Sequence, residues 1–331
     1  MKHTMLAVVA QAAQQPLTLQ RLPRPVPGEG QLLLQVRCAG VNPLDIKIAA
    51  GAAAHARQPL PATLGLDVSG TVVEVGPGGG PFAVGDEVFG MAGGIGGAPG
   101  AMAQYMVVDA RLVAPKPQAL GWAEAAAMPL VFITAWEGLV DRAQVRPGQR
   151  VLVHGGAGGV GQAAVQLAKA RGAQVFATGS AGSLDFIRTL GATAIDREAE
   201  PLETCLQRYT EGEGFDIFYD TVGSLDAAFR CVKAYTGHVV SCLGWGSHNL
   251  APLSFKGASY SGVFTLLPLL TGKGREHHGE ILREAASLVE AGQLSLRVDA
   301  QHFGLEDVNQ AFRQVAEGRG LGKTVLHIAD R

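Results

Sequence analysis

RVLVHGGAGGVG, residues 150–161, is the stretch that decides the fold. An apolar, strand-like run leads into glycines at 156, 158 and 161, and the chain continues from residue 160 as VGQAAVQLAKARG, patterned as a helix. A bare G-x-G-x-x-G is a weak signal, but one that follows a strand and opens a helix is strong, because each glycine then has a physical task. Gly156 allows the tight strand-to-helix turn, Gly158 lets the main chain approach a pyrophosphate, and Gly161 lets helix and strand pack closely. The N–H groups of the loop and helix start, contributed by Ala157, Gly159 and Val160 as well, favour an anionic ligand. A turn that bound nothing would give up stability at three glycines with no compensating contact. The stretch therefore reads as a dinucleotide-binding loop.

Downstream, strand and helix patterns alternate: strands at 174–178, 193–196, 215–219 and 238–243, helices at 160–171 and 183–190. Alternation of this kind predicts right-handed βαβ crossovers and a parallel sheet with helices on both faces. Upstream, the chain is β-rich and punctuated by glycine. Residues 31–39 (QLLLQVRCA) alternate apolar and polar, 68–75 (VSGTVVEV) end in GPGGG, and 86–91 and 103–108 add short strands, together predicting a compact, barrel-like β domain. Residues 42–47 (NPLDIK) read as a loop, helical periodicity runs over 121–140, and Pro147-Gly148 marks a turn. From about residue 266 the pattern changes again, with a helix over 279–291 and a strand over 323–328. Residues 1–11 have a lysine and a short apolar run, too short for a signal peptide, and are expected to form a first strand.

Composition narrows the class. Of 331 residues 47% are hydrophobic, enough for two cored domains, and 27 basic against 29 acidic residues leave a net charge of −2, which gives no sign of a nucleic-acid or membrane-surface partner. No segment has the ~20 apolar residues of a spanning helix, so the cytoplasm is the default location. Cys38, Cys205, Cys231 and Cys242 form no CxxC pair and read as buried thiols of a reducing compartment. His277-His278 is expected to be solvated, and His154 to serve packing or hydrogen bonding.

The loop also bears on which dinucleotide binds. An NAD site carries a carboxylate at the end of the second strand, where it meets the ribose hydroxyls. Here that strand ends FATGS, residues 176–180, with Ser180 and no acid. A 2′-phosphate would meet no negative charge, and Arg197 after the third strand, or less directly Arg188, offers a positive one. NADPH is expected over NADH. The carboxyl ends of later strands supply further candidate contacts, Val222 with Gly223 and Leu243 with Gly244.

Taken in order, CAGVNPLDIKIAAG (38–51), LGLDVSGTVVEVG (64–76), VGDEVFG (84–90), ITAWEGL (133–139), the glycine loop and GKTV (322–325) resemble the medium-chain dehydrogenase/reductases, specifically those of the zinc-independent quinone oxidoreductase and enone reductase type. The resemblance covers essentially the whole chain. It implies an α/β architecture in which a doubly wound Rossmann domain (124–265) is inserted in a β-rich, GroES-like catalytic domain (1–123 and 266–331), with the active site in the cleft between them. It also implies a homodimer paired through the last Rossmann strand, near 259–264. The zinc-dependent cousins carry a ligand cysteine where this chain has Asn42 and a ligand histidine where it has Leu66, and their four-cysteine lobe has no counterpart in 91–104. Cys38, His55 and Asp67 match no metal-site spacing, so no zinc is expected.

By the same resemblance, Asn42 faces the nicotinamide and Lys47 the substrate carbonyl, while Asp45 holds their loop or pairs with Lys47. Thr134 and Phe264 contact the cofactor, and Lys323 lies at the cleft rim. Without a metal, reduction of an already electrophilic acceptor is the expected chemistry: hydride adds to a quinone or an α,β-unsaturated carbonyl compound, and the protein orients the acceptor and stabilises its oxygen. Two other readings compete, a dinucleotide-binding protein of this fold with little turnover and a zinc alcohol dehydrogenase.

Overall fold

The computed structural model describes residues 4–329, so the first three residues of the expected first strand lie outside the described ones. The chain divides into two compact units: residues up to Leu130 together with those from Leu266 onward, and Val131–Thr265 between them.

Unit 1 opens with β1 (Thr4–Ala10), β2 (Thr18–Pro23) and β3 (Gln31–Gly40), followed by α1 (Pro43–Ala49). Then come β4 (Ala62–Thr63), β5 (Asp67–Val75), β6 (Glu87–Met91), β7 (Tyr105–Asp109) and β8 (Val113–Pro115). Helix α2 (Trp122–Ala127) follows, and α3 (Pro129–Trp136) carries the chain into unit 2. Unit 2 alternates β9 (Arg150–His154), α4 (Gly159–Ala170), β10 (Gln174–Gly179), α5 (Leu184–Thr189), β11 (Thr193–Asp196), α6 (Leu202–Thr210), β12 (Ile217–Asp220), α7 (Leu225–Cys231), β13 (His238–Ser241), α8 (Ala251–Phe255) and β14 (Ser259–Gly262). The return to unit 1 adds α9 (Leu267–Thr271), α10 (Arg275–Glu290), α11 (Val308–Ala316) and β15 (Val325–His327).

Unit 2 is the parallel α/β sheet that the glycine loop announced. Its strand order is β11-β10-β9-β12-β13-β14, every neighbour parallel. The order reverses between β9 and β12, so the loops leaving their carboxyl ends open at the point where ligands bind in doubly wound sheets. Leu152, Phe176, Phe215, Phe218 and Val239, each at most 2% exposed, fill one side of the sheet.

Unit 1 is antiparallel. One sheet runs β15-β3-β5-β6-β8, with β7 also on β3, and a second runs β2-β1-β4. Strand β3 pairs with β5 along its length, with bulges between Leu33 and Leu34 and between Val36 and Cys38, while β7 pairs with its first half and β15 with its end. Its Leu32, Leu33, Leu34 and Val36 are fully buried.

The first unit boundary falls seven residues beyond the expected 123, because α2 packs on β3 and β5, with Ser69 Oγ donating to the Trp122 carbonyl at 2.7 Å. Residues 42–47, read as a loop, in fact begin a helix. Asn42 is its N-cap, Pro43 supplies a preset φ, and the Asp45 carboxylate accepts from the Asn42 N–H at 2.9 Å. The helix over 279–291 begins earlier, at Arg275, and this carries His278 into the core, fully buried rather than solvated.

Candidate active site

At the end of β9 the chain turns on Gly155, whose φ of +90° only glycine adopts freely. The tight turn expected of Gly156 thus belongs to the residue before it. Gly156 instead packs against β10: a Cβ there would lie 2.6 Å from the Ala177 Cβ. Gly161 has the role expected of it, since its Cβ would lie 2.0 Å from the Gly155 carbonyl oxygen. Gly158 differs from both. It caps α4 with ordinary dihedrals, and the nearest atom to an added Cβ is the Gly155 oxygen at 3.4 Å. Nothing inside the protein requires glycine at 158, so the space there suits a ligand brought against the main chain, beside the first helical N–H groups of Gly159, Val160 and Gly161. Thr178 braces the turn, its Oγ1 lying 3.1 Å from the Gly155 N–H and 2.7 Å from His154 Nδ1. Burial of the His154 ring lowers its pKa, favouring the neutral form.

The neighbouring strand ends meet as the parallel register dictates. Gly179 of β10 pairs with Asp196 of β11, and the Arg197 N–H donates to the Gly179 carbonyl at 3.0 Å. Ser180 and Arg197 therefore leave adjacent strands side by side. Ser180 is half-buried; the Arg197 side chain is 52% exposed and reaches Glu198 only at 4.0 Å. Arg188 is engaged elsewhere, on Asp185 at 2.6 Å.

A residue passed over in the sequence organises the next loops. Asp220, fully buried at the end of β12, accepts from the N–H groups of Val222, Gly223 and Ser224 at 3.0–3.2 Å and from Ser241 Oγ at 2.8 Å. Ser241 Oγ in turn accepts from the Leu243 N–H at 3.0 Å. One carboxylate thereby ties the Val222–Gly223 loop to the Leu243–Gly244 loop. Asp220→Ala is expected to destabilise unit 2 by about 2 kcal/mol, since buried donors lose a charged acceptor; urea unfolding measures it. Val222 is 44% exposed, and Leu243 and Gly244 are half-buried. Thr134 lies inside unit 2, its Oγ1 3.1 Å from Thr265 Oγ1 and its carbonyl accepting from the Tyr219 hydroxyl at 2.7 Å. Phe264 meets Trp245 edge-on, ring centroids 5.9 Å apart.

In unit 1, antiparallel pairing gathers residues distant in sequence. Gly40 of β3 lies opposite Asp67 of β5 on one side and Val325 of β15 on the other. Asn42 follows that glycine and Lys323 precedes that valine, so both converge on Asp67. Asn42 Nδ2 donates to Asp67 Oδ2 at 2.9 Å, Lys323 Nζ donates to Asn42 Oδ1, and the other Asp67 oxygen accepts from the Leu130 N–H at 2.9 Å. Asp45 accepts from the N–H groups of Asn42 and Gly65, at 2.9 and 3.1 Å. It does not pair with Lys47, which is exposed in the last turn of α1. Nor is Lys323 a rim residue: it is 7% exposed. Both carboxyl groups are fully buried, and desolvation lifts Asp45 to about 7 and Asp67 to about 6, against the pull of Lys323.

This donor set does not fit zinc. The carboxamide of Asn42 is occupied at both ends, one of them by an ammonium group, and Leu66 is buried hydrocarbon. Among the described residues no three of His, Cys, Asp or Glu are placed to hold a metal ion.

Comparison with known proteins places the architecture. Residues 28–118 match the alcohol dehydrogenase GroES-like domain, and residues 190–326 match the family described as zinc-binding dehydrogenase. The chain is 53% identical to an alcohol dehydrogenase superfamily protein from Novosphingobium aromaticivorans, with 98% of this chain and all of that one aligned at a TM-score of 0.96. It is 28% identical to the quinone oxidoreductase from Coxiella burnetii, over 98% of this chain and 100% of that one, at a TM-score of 0.82. A 2-methylene-furan-3-one reductase of Solanum lycopersicum is 36% identical over 90% of this chain and 72% of its own length. The chain spans only 5–15% of the length of other relatives that it matches, among them two polyketide synthase proteins of Streptomyces and a phthioceranic/hydroxyphthioceranic acid synthase of Mycobacterium bovis. With its GroES-like unit, its parallel six-stranded sheet and these relatives, the chain belongs to the medium-chain dehydrogenase/reductase superfamily of oxidoreductases.

Proposed function

We propose that the protein is an NADPH-dependent reductase of quinones or α,β-unsaturated carbonyl compounds that works without a catalytic zinc. The observation that carries this reading is the polar group around Asn42: an amide held by an ammonium and a carboxylate, in a position where metal-dependent relatives need a thiolate. Such a group can donate hydrogen bonds to an electron-rich oxygen but cannot act as a strong Lewis acid toward an alcohol. The kinship with a furanone reductase and a quinone oxidoreductase supports the same chemistry.

A bound reduced nicotinamide would supply the hydride. The glycine loop, with Gly156, Ala157, Gly158, Gly159 and Val160, would hold the diphosphate, and Ser180 with Arg197 the 2′-phosphate. Thr134, Val222, Leu243, Gly244 and Phe264 would border the nicotinamide half. Asn42 orients the acceptor carbonyl, and Lys47, exposed in the last turn of α1, delivers a proton after the oxygen has gained charge. Asp45 holds the start of α1. A second copy of the chain would pair along the edge strand β14, where Tyr260 is 37% exposed. No helix among the described residues is long and apolar enough to cross a membrane, which is compatible with the cytoplasm as the place of action.

The test is a panel of quinones and enones mixed with protein and NADPH. Oxidation of NADPH in equal amount to acceptor reduced, with turnover unchanged after exhaustive dialysis against a chelator, is the expected result. Tight NADPH binding with no acceptor consumed would overturn the reductase reading, and activity that tracks zinc content would overturn the metal-free one.

A further inference from the structure

Asn42, Asp45, Asp67 and Lys323 bring an amide, two carboxyl groups and an ammonium together in the interior of unit 1, none more than 7% exposed. Burial of this kind persists only where each group finds a partner, and here the partners have a direction. A lysine ammonium can only donate and a carboxylate only accepts. With Lys323 Nζ on Oδ1 and Asp67 Oδ2 on Nδ2, the Asn42 carboxamide has one admissible orientation; flipping it would set donor against donor and acceptor against acceptor. The backbone of Asn42 is held separately, by Asp45. Main chain and side chain of the same residue are thus fixed by three groups, one from its own helix and two from distant segments.

We propose that Lys323 and Asp67 are positioning residues that clamp the Asn42 carboxamide at both ends in the single orientation the reductive step uses. The inference deepens the reductase reading given above and rests on it for its kinetic arm alone.

The clamp is sensitive to protons. The charges that act on each group are the other members: Asp45 on α1, Asp67 on β5 and Lys323 ahead of β15, with Gly65 and Leu130 contributing only main-chain N–H groups. Burial lowers Lys323 while the two carboxylates raise it. Both acids bind their protons more tightly folded than unfolded. Their contribution to stability is therefore complete below the ordinary carboxyl range and is lost as pH rises through about 6 and about 7. In the same interval Asp67 becomes the anion that accepts from Asn42 and steadies Lys323.

The decisive experiment follows the side-chain amide signals of Asn42 by nitrogen-edited NMR of the full chain, assigned by their loss in Asn42→Asp. The wild type is expected to show two well-separated, slowly exchanging amide protons whose shifts titrate between about 6 and about 7. Asp67→Asn keeps the shape but leaves a single acceptor oxygen for two donors, Asn42 Nδ2 and the Leu130 N–H, and removes the negative charge beside Lys323, and Lys323→Met removes the other end. In each, the signals are expected to collapse toward solvent-exposed values. With an acceptor that the wild type reduces, kcat is expected to fall about 30-fold or more while the NADPH Kd stays within about threefold, and the kcat–pH profile loses its inflection in Asp67→Asn. A protected, unshifted Asn42 amide in either folded variant overturns the clamp. A loosened amide with unchanged kcat overturns its part in the reaction. If Lys323→Met does not fold, the isosteric Asp67→Asn variant alone decides, and if no acceptor is reduced by any form, the reductase reading fails while the amide signals still judge the clamp.

Discussion

Gly161→Val is expected to destabilise the protein by about 3 kcal/mol and to raise the NADPH dissociation constant more than ~100-fold. The argument is steric. A Cβ at 161 would sit 2.0 Å from the Gly155 carbonyl oxygen and 2.8 Å from both the Gly155 carbonyl carbon and the Gly156 Cα. All three atoms are main chain of the turn, so no side chain can swing aside; α4 must back away from the turn, and the helix start leaves the position from which it would meet a diphosphate. The control is Gly158→Ala. A Cβ there finds only the Gly155 oxygen at 3.4 Å, and the residue's φ of −71° and ψ of 170° suit alanine. That variant is expected to melt within about 0.5 kcal/mol of the wild type while losing ~10-fold or more in dinucleotide affinity, because the methyl group occupies the space a phosphate needs. Urea unfolding and fluorescence titration separate the two effects. Equal affinity in Gly158→Ala and wild type would mean that the loop cradles nothing.

The contrast between these glycines shows what a linear motif conveys. The loop was legible because its spacing, its strand and its helix are contiguous, so one window contains the whole signal. The assignment of tasks within it was less so: Gly155, outside the motif, holds the positive φ, and only the register of β9 against β10 reveals that Gly156 is packed on Ala177. The start of α1 carried a readable cap, Asn42-Pro43 with Asp45 three residues on, yet seven residues give too short an apolar period to separate a helix from a loop. The group around Asn42 was harder still. Asp67 lies 25 residues away and Lys323 281, and what joins them is the pairing of β3 with β5 and β15, which no local pattern specifies. The one clue was a lone carboxylate in the otherwise apolar run LGLDVSG, where a charge must be either exposed or partnered. Asp220 left the same trace at the end of IFYD.

Ser180→Asp combined with Arg197→Glu is expected to reverse the choice of dinucleotide, lowering kcat/KM with NADPH by about 100-fold or more and raising that with NADH severalfold. The register that pairs Gly179 with Asp196 brings residues 180 and 197 together at adjacent strand ends, where the adenosine ribose lies in this kind of sheet. Among the described residues at these strand ends, the Arg197 guanidinium is a cation that a 2′-phosphate would meet, held loosely by Glu198 at 4.0 Å and therefore able to turn to a better anion. A carboxylate at 180 would accept from the two ribose hydroxyls of NADH and repel a phosphate, and Arg197→Glu would replace the attraction with a second repulsion. Because Arg197 is 52% exposed, salt screens part of its pull, and the single Arg197→Ala change is expected to weaken NADPH by only about tenfold, an effect that shrinks as ionic strength rises. Parallel kinetics with the two cofactors at low and high salt provide the measurement. A double variant that keeps the wild-type ratio of NADPH to NADH efficiency would place the discriminating contacts elsewhere and remove the case for Ser180 and Arg197 as the phosphate site.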